Sequence, residues 1–138
     1  MALSWTKEET PRWDAAKRAV FGEHPPDVFG LKATDDQVLA DEWWKATDGD
    51  EVVGYGRLDS VWGDAEILVA VAPSYRGRGI GEFVLDRLER EAAREGLNYI
   101  YNTVRDAHPD RAHVTSWLCG HGFAEHPDGQ LRKRVSRT

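Results

Sequence analysis

Apolar positions along this chain change period several times, and each change marks an element. Trp13, Ala16, Val20 and Phe21 recur three or four residues apart, which places them on one helical face. Thr10 offers an N-cap, Pro11 suits a first helical position and Gly22 suits an end, so a helix is predicted over 10–22. A short first strand is predicted before it, at 2–5. Prolines 25 and 26 make the next stretch a loop. Residues 34–40 read as either a short second helix or more of that loop. From Asp41 to Ala72 the chain is strand-like, with turn signals at Asp48-Gly49-Asp50 and Trp62-Gly63-Asp64. They predict three antiparallel strands near 41–47, 51–60 and 64–72. The third is the most apolar and is expected to be the most central.

After Gly79 the helical period returns through Ile80, Phe83, Val84, Leu88 and Ala92, and Gly96 is placed to stop it. A buried strand is predicted at 97–104. A shorter helix follows at 110–120, with Val114, Trp117 and Leu118 on one side. A closing hairpin turns at Asp128-Gly129. The predicted order is β-α-(α)-β-β-β-α-β-α-β-β. This is an α/β fold of the mixed α+β kind, a mostly antiparallel central sheet flanked by helices. No repeat or low-complexity linker interrupts it, so residues 1–138 are expected to form a single domain.

Composition narrows the class. No apolar run approaches the roughly 20 residues that span a bilayer, and the start lacks a signal-peptide pattern. A cytoplasmic protein with no membrane partner is expected. The single cysteine, Cys119, precludes an internal disulfide. The net charge is −6, unevenly placed: the last eight residues hold Arg132, Lys133, Arg134 and Arg137 and no acid. The body before them carries 14 basic and 24 acidic side chains, a net −10. That argues against nucleic acid as a partner and favours a cationic small molecule or basic peptide. Acidity for solubility alone is the plainer alternative. His108, His113, His121 and His126 do not follow a zinc spacing, and no metal is expected.

The turn before the second long helix stands out. Arg76-Gly77-Arg78-Gly79-Ile80-Gly81 puts three glycines and two arginines between a buried strand and a helix start. A helix N-terminus has unpartnered N–H groups and about half a positive charge. Glycines let a ligand approach the main chain, and arginine forks onto phosphate oxygens. A pyrophosphate suits such a site. A tight strand-to-helix connection is the simpler reading of the glycines. A nucleotide-binding α/β domain is a further one, but the glycines run G-x-G-x-G rather than G-x-G-x-x-G, with no Walker lysine.

At these residues the chain resembles the GNAT superfamily of acyl-CoA N-acetyltransferases. Residues 76–81 match its [QR]-x-x-G-x-[GA] signature, and "LVAVAPSY" before them and "WLCGHGF" near the end resemble its strand entry and its ending. The order of elements agrees over nearly the whole chain. The resemblance implies acetyl-CoA as donor, with N–H groups from Arg76, Gly77, Arg78, Gly79, Ile80 and Gly81 on its pyrophosphate. It implies a strand splayed from its neighbour, with Val69 and Val71 facing the pantetheine arm. It implies transfer of the acetyl group to a primary amine, on a small molecule or a peptide, by direct attack with both substrates bound.

A lysine-like amine must lose a proton first, which costs roughly 4–5 kcal/mol at pH 7. Glu66, in an "AEI" context used by some relatives, is the first candidate base, with Asp41, Glu42 and Asp64 behind it. The tyrosine that many relatives use as acid corresponds here to Leu118. Ser116, Cys119, His121 and Tyr101 are the nearby donors. The missing tyrosine supports an alternative function, an acyl-CoA-binding module without turnover. Trp43, Trp44, Trp62 and Tyr55 are expected either to line an acceptor pocket or to serve the core and a homodimer surface.

Overall fold

The computed structural model describes residues 2–21, 37–104 and 110–136. The elements are β1 (Leu3–Lys7), α1 (Ala15–Phe21), β2 (Glu42–Asp48), β3 (Glu51–Val61), β4 (Asp64–Val71), α2 (Ile80–Arg94), β5 (Tyr99–Thr103), α3 (Arg111–Gly120), β6 (Ala124–Glu125) and β7 (Gln130–Arg134). The strands form one sheet in the order β1-β2-β3-β4-β5-β7-β6. Among the described residues only the β4–β5 pair is parallel. The mixed, mostly antiparallel fold with flanking helices is therefore observed, and β4 is the middle strand.

Strand alternation sends β4 side chains to two separate cores. Ala65 and Ile67 join the larger one, with Ile80, Val84, Leu85 and Leu88 of α2 and Leu118 of α3. Leu68 and Ala70 join the smaller one, with Trp13, Val20, Phe21, Trp43 and Tyr55 around α1. Trp43 and Trp44, adjacent on β2, fall one into each, as alternation requires. Two glycines let α2 lie directly on β3. A Cβ at Gly54 would stand 3.0 Å from Ile80, and one at Gly56 would stand 2.9 Å from Leu88.

The first helix begins later than its sequence signals suggest. Thr10 and Pro11 do not start it. Pro11 accepts a main-chain bond from Leu39 and Arg12 bridges Val38, so this stretch is extended. The side chain of Asp14 instead accepts from the Lys17 N–H (3.0 Å), the N-cap contact. Residues 37–40 are not helical; Gly22, the paired prolines and 34–36 lie outside the described residues.

Of the aromatics read as a pocket wall or as core and dimer surface, Trp62 lies in neither pocket nor core. It is 97% exposed at the β3–β4 hairpin tip rather than beside a pocket. Its φ is +53° and that of Gly63 is +84°, the two-residue turn in which asparagine-glycine is preferred. A bulky residue in the left-handed region costs about 1 kcal/mol or more. Trp62→Asn is expected to raise the melting temperature by a few degrees. An equal or lower value in a thermal melt overturns the assignment of strain.

Candidate active site

β4 and β5 pair at only three positions, Asp64 with Tyr99, Ala65 with Ile100 and Glu66 with Tyr101. Beyond Glu66 the strands part, and a cleft of about 650 Å³ occupies the gap. Val69 and Val71 line one side, and Val114, Trp117 and Leu118 of α3 the other. Val20 and Phe21 of α1 reach it from the opposite face of the sheet. Leu118 is a buried hydrocarbon and offers no proton.

The hydrogen-bond parity of β4 decides what its main chain presents. Ala72 N–H donates to the Val53 carbonyl on β3 (2.8 Å). Antiparallel pairing then directs Ala70 and Leu68 toward β3 as well, and Val71, Val69 and Ile67 toward the gap. The Ile67 carbonyl confirms this by accepting a bond from Asn102 of β5 (2.7 Å). Val69 and Val71, the positions the resemblance singles out, therefore turn their N–H and C=O groups into the cleft.

At the upper end, a single 3-10 turn (Pro73–Tyr75) leads into the glycine-rich loop. The first helical bond of α2 runs from Phe83 N–H to the Gly79 carbonyl (3.1 Å), so Ile80, Gly81 and Glu82 keep unpartnered N–H groups. Gly77 and Gly79 have φ of +77° and +82°, and a Cβ on either would meet nothing within 4 Å. Their surroundings are open and their backbone needs glycine. Gly81 also admits α3, since a Cβ there would lie 3.2 Å from the Trp117 ring.

Arg76 lines the cleft, and among the described residues it meets no carboxylate. Arg78 is not in the lining; its guanidinium stands 5.0 Å from the centre of the Tyr75 ring. Tyr75 in turn donates its hydroxyl proton to Glu51 (2.7 Å), and that bond holds the phenol above its ordinary pKa. The sequence reading missed Tyr75, Asn102, Asp110 and His113 among the lining residues. For His113 a signal existed, since it sits one turn before Trp117 on the same helix.

Glu66 points to the α1 face, with Leu68 and Ala70. β4 runs in unbroken register along β3, so no bulge re-aims it. Its Oε1 accepts from Arg57 Nη2 (2.7 Å), while Arg57 Nη1 reaches Asp41 (3.2 Å). Arg57 is 4% exposed. Burial raises the Asp41 carboxyl above its usual pKa despite the guanidinium beside it. Burial first, and then the Glu66 charge, raise the Tyr101 phenol. Glu66 is not in the cleft lining; it lies next to the point where the strands part. Trp43, Trp44 and Tyr55 are buried in the two cores and, like Trp62, do not line the cleft.

Comparison with curated proteins found no match. Among solved structures, the chain is similar to the ribosomal-protein-S18-alanine N-acetyltransferase from Escherichia coli, with a TM-score of 0.69 at 17% identity, covering 99% of this chain and 96% of that one. It is similar to the ribosomal-protein-alanine N-acetyltransferase from Brucella melitensis, with a TM-score of 0.58, 21% identity and 69% of each chain covered. It is also similar to the PaiA N-acetyltransferase from Thermoplasma acidophilum in complex with coenzyme A, with a TM-score of 0.57, 18% identity and 67% and 59% covered. At these identities the likeness speaks to fold. The profile described as Acetyltransferase (GNAT) family matches residues 3–115, most of the sequence. The chain belongs to the GNAT family of acetyltransferases.

Proposed function

We propose that this protein, acting as one domain, transfers an acetyl group from acetyl-CoA to a primary amine on a small molecule or a peptide. One observation carries the reading. A single cleft joins a cationic turn with open main-chain donors to a strand whose main chain faces the gap. Arg76, with the N–H groups of Gly77, Arg78, Gly79, Ile80 and Gly81, holds the pyrophosphate, and Arg78 adds charge from its place on Tyr75. Val69 and Val71 pair through their main chains with the pantetheine amides.

Acetyl-CoA supplies a thioester: the amine nitrogen bonds to its carbonyl carbon, the C–S bond breaks and CoA leaves as thiolate. The protein supplies three things. Main-chain donors of the gap-facing residues meet the charge that grows on the carbonyl oxygen. The walls orient the amine. Glu66 takes the amine proton through one water with Oε2, its other oxygen being engaged by Arg57. No hydroxyl stands at Leu118, so the thiolate takes its proton from solvent or from the amine itself. The acidic body suits a cationic acceptor.

CoA release, followed with a thiol reagent over a panel of amines, tests this. Amine-dependent release is expected. Glu66→Gln is expected to lower kcat about a hundredfold at neutral pH, the scale of general-base catalysis, with KM for acetyl-CoA unchanged. Tight CoA binding without release for any amine replaces the enzyme with a binding module.

A further inference from the structure

At the place where β4 and β5 part, one side chain bridges them. After Glu66 and Tyr101, a continuing parallel ladder would offer Ile67 a main-chain donor from β5. It receives instead the side-chain amide of Asn102, at 2.7 Å. The main chain of Asn102 is committed to the other side, opposite Leu131 of β7. Ile67 is 1% exposed, so its carbonyl needs a partner inside the protein. An amide at the end of a side chain reaches further than a backbone N–H. It therefore satisfies Ile67 while holding the strands about one side chain apart. Asn102 also lines the cleft. Behind it the strands are paired; in front of it Val69 and Val71 present free main chain. The amide thus stands where the paired part of the two strands gives way to the cleft.

We propose that Asn102 is a positioning and specificity-determining residue: its bond to Ile67 fixes the depth of the cleft and so limits the acyl chain that fits. This rests on the donor reading above, in which phosphates sit at the glycine-rich turn and the acyl group lies at the far end of β4. The grip on the phosphates is remote from Asn102, so the residue acts on acyl length and on aim rather than on CoA affinity.

The test compares Asn102→Ala and Asn102→Asp with the parent, using acetyl-, propionyl- and butyryl-CoA. Asn102→Ala removes the amide and leaves room. Its ratio of butyryl to acetyl kcat/KM is expected to rise about tenfold, the scale on which a pocket discriminates methylenes. Its loss with acetyl-CoA is expected in kcat and not in KM. Asn102→Asp keeps the outline but cannot donate, and its carboxylate repels the Ile67 carbonyl. It is expected to lose kcat without gaining the longer chains. Calorimetric affinities for the same three donors give a second ratio that needs no turnover. An inactive parent would defeat the proposed function and leave the calorimetric ratio to decide this one. An Asn102→Ala protein that loses all three donors in equal proportion, by rate and by affinity, overturns the proposal, as does a parent that binds none of them.

Discussion

Gly79→Val is expected to weaken CoA binding about a hundredfold, or 2.7 kcal/mol, when titrated by calorimetry. Two effects add. Gly79 has φ +82°, and a Cβ on it would meet nothing within 4 Å. A valine there projects into the open space above the turn, where a pyrophosphate would approach the N–H groups at the start of α2. The β-branched side chain also strains the left-handed backbone and shifts those groups. Strain alone would lower stability without touching the ligand, and the protein contains its own control. Gly49, in the β2–β3 turn, has φ +60° and equally empty surroundings. Gly49→Val should lower the melting temperature about as much while CoA affinity stays at the parent value. If Gly79→Val binds CoA as the parent does, the turn is only a connection.

The turn was legible in the sequence because the chemistry it needs is local. Glycine and arginine at adjacent positions specify a backbone and a charge whatever packs around them. The central place of β4 was legible for a similar reason, since a strand buried on both faces is apolar along most of its length. Features set by distant partners were not. Pro11 and Thr10 carry sound helix-start signals, but residues 11–13 are drawn into extended contact with 37–39, and Asp14 takes over the cap. Lys17 looks like a solvated helix residue. It is instead fully buried, with Nζ on Glu8 and the Arg12 carbonyl and over the rings of Trp43 and Tyr55. Trp62 reads from its aromatic ring as a pocket wall or as core and dimer surface, yet the turn signal it belongs to already required an outward side chain. Of the site, the glycine-rich turn could be read ahead, and the family resemblance singles out Val69 and Val71, whose main chains face the gap. The pairing of Glu66 with Arg57 and the reach of Asn102 could not, since each joins different strands.

Arg57→Met is expected to cost about 3–5 kcal/mol at pH 8, the usual penalty for leaving buried charge unpaired. Methionine keeps most of the aliphatic stem, so packing changes little. The loss is electrostatic: Asp41 and Glu66 stay partly buried, with side chains 23% and 22% exposed, and lose the guanidinium they share. The pH dependence follows with a definite sign. Burial already raises the Asp41 carboxyl, and the positive charge opposes that rise. Without it the Asp41 carboxyl binds its proton still more tightly folded than unfolded. The variant then regains stability as pH falls through the raised folded value of Asp41 toward its unfolded one near 4, and loses it as pH rises back through it. Chemical denaturation at pH 8 and pH 5 measures this directly, and the gap between parent and variant should narrow at pH 5. A gap of equal size at both would mean that Arg57 contributes through packing alone. Glu66 would then owe its placement to the strand rather than to its charge, and a role in taking the amine proton would lose its structural support.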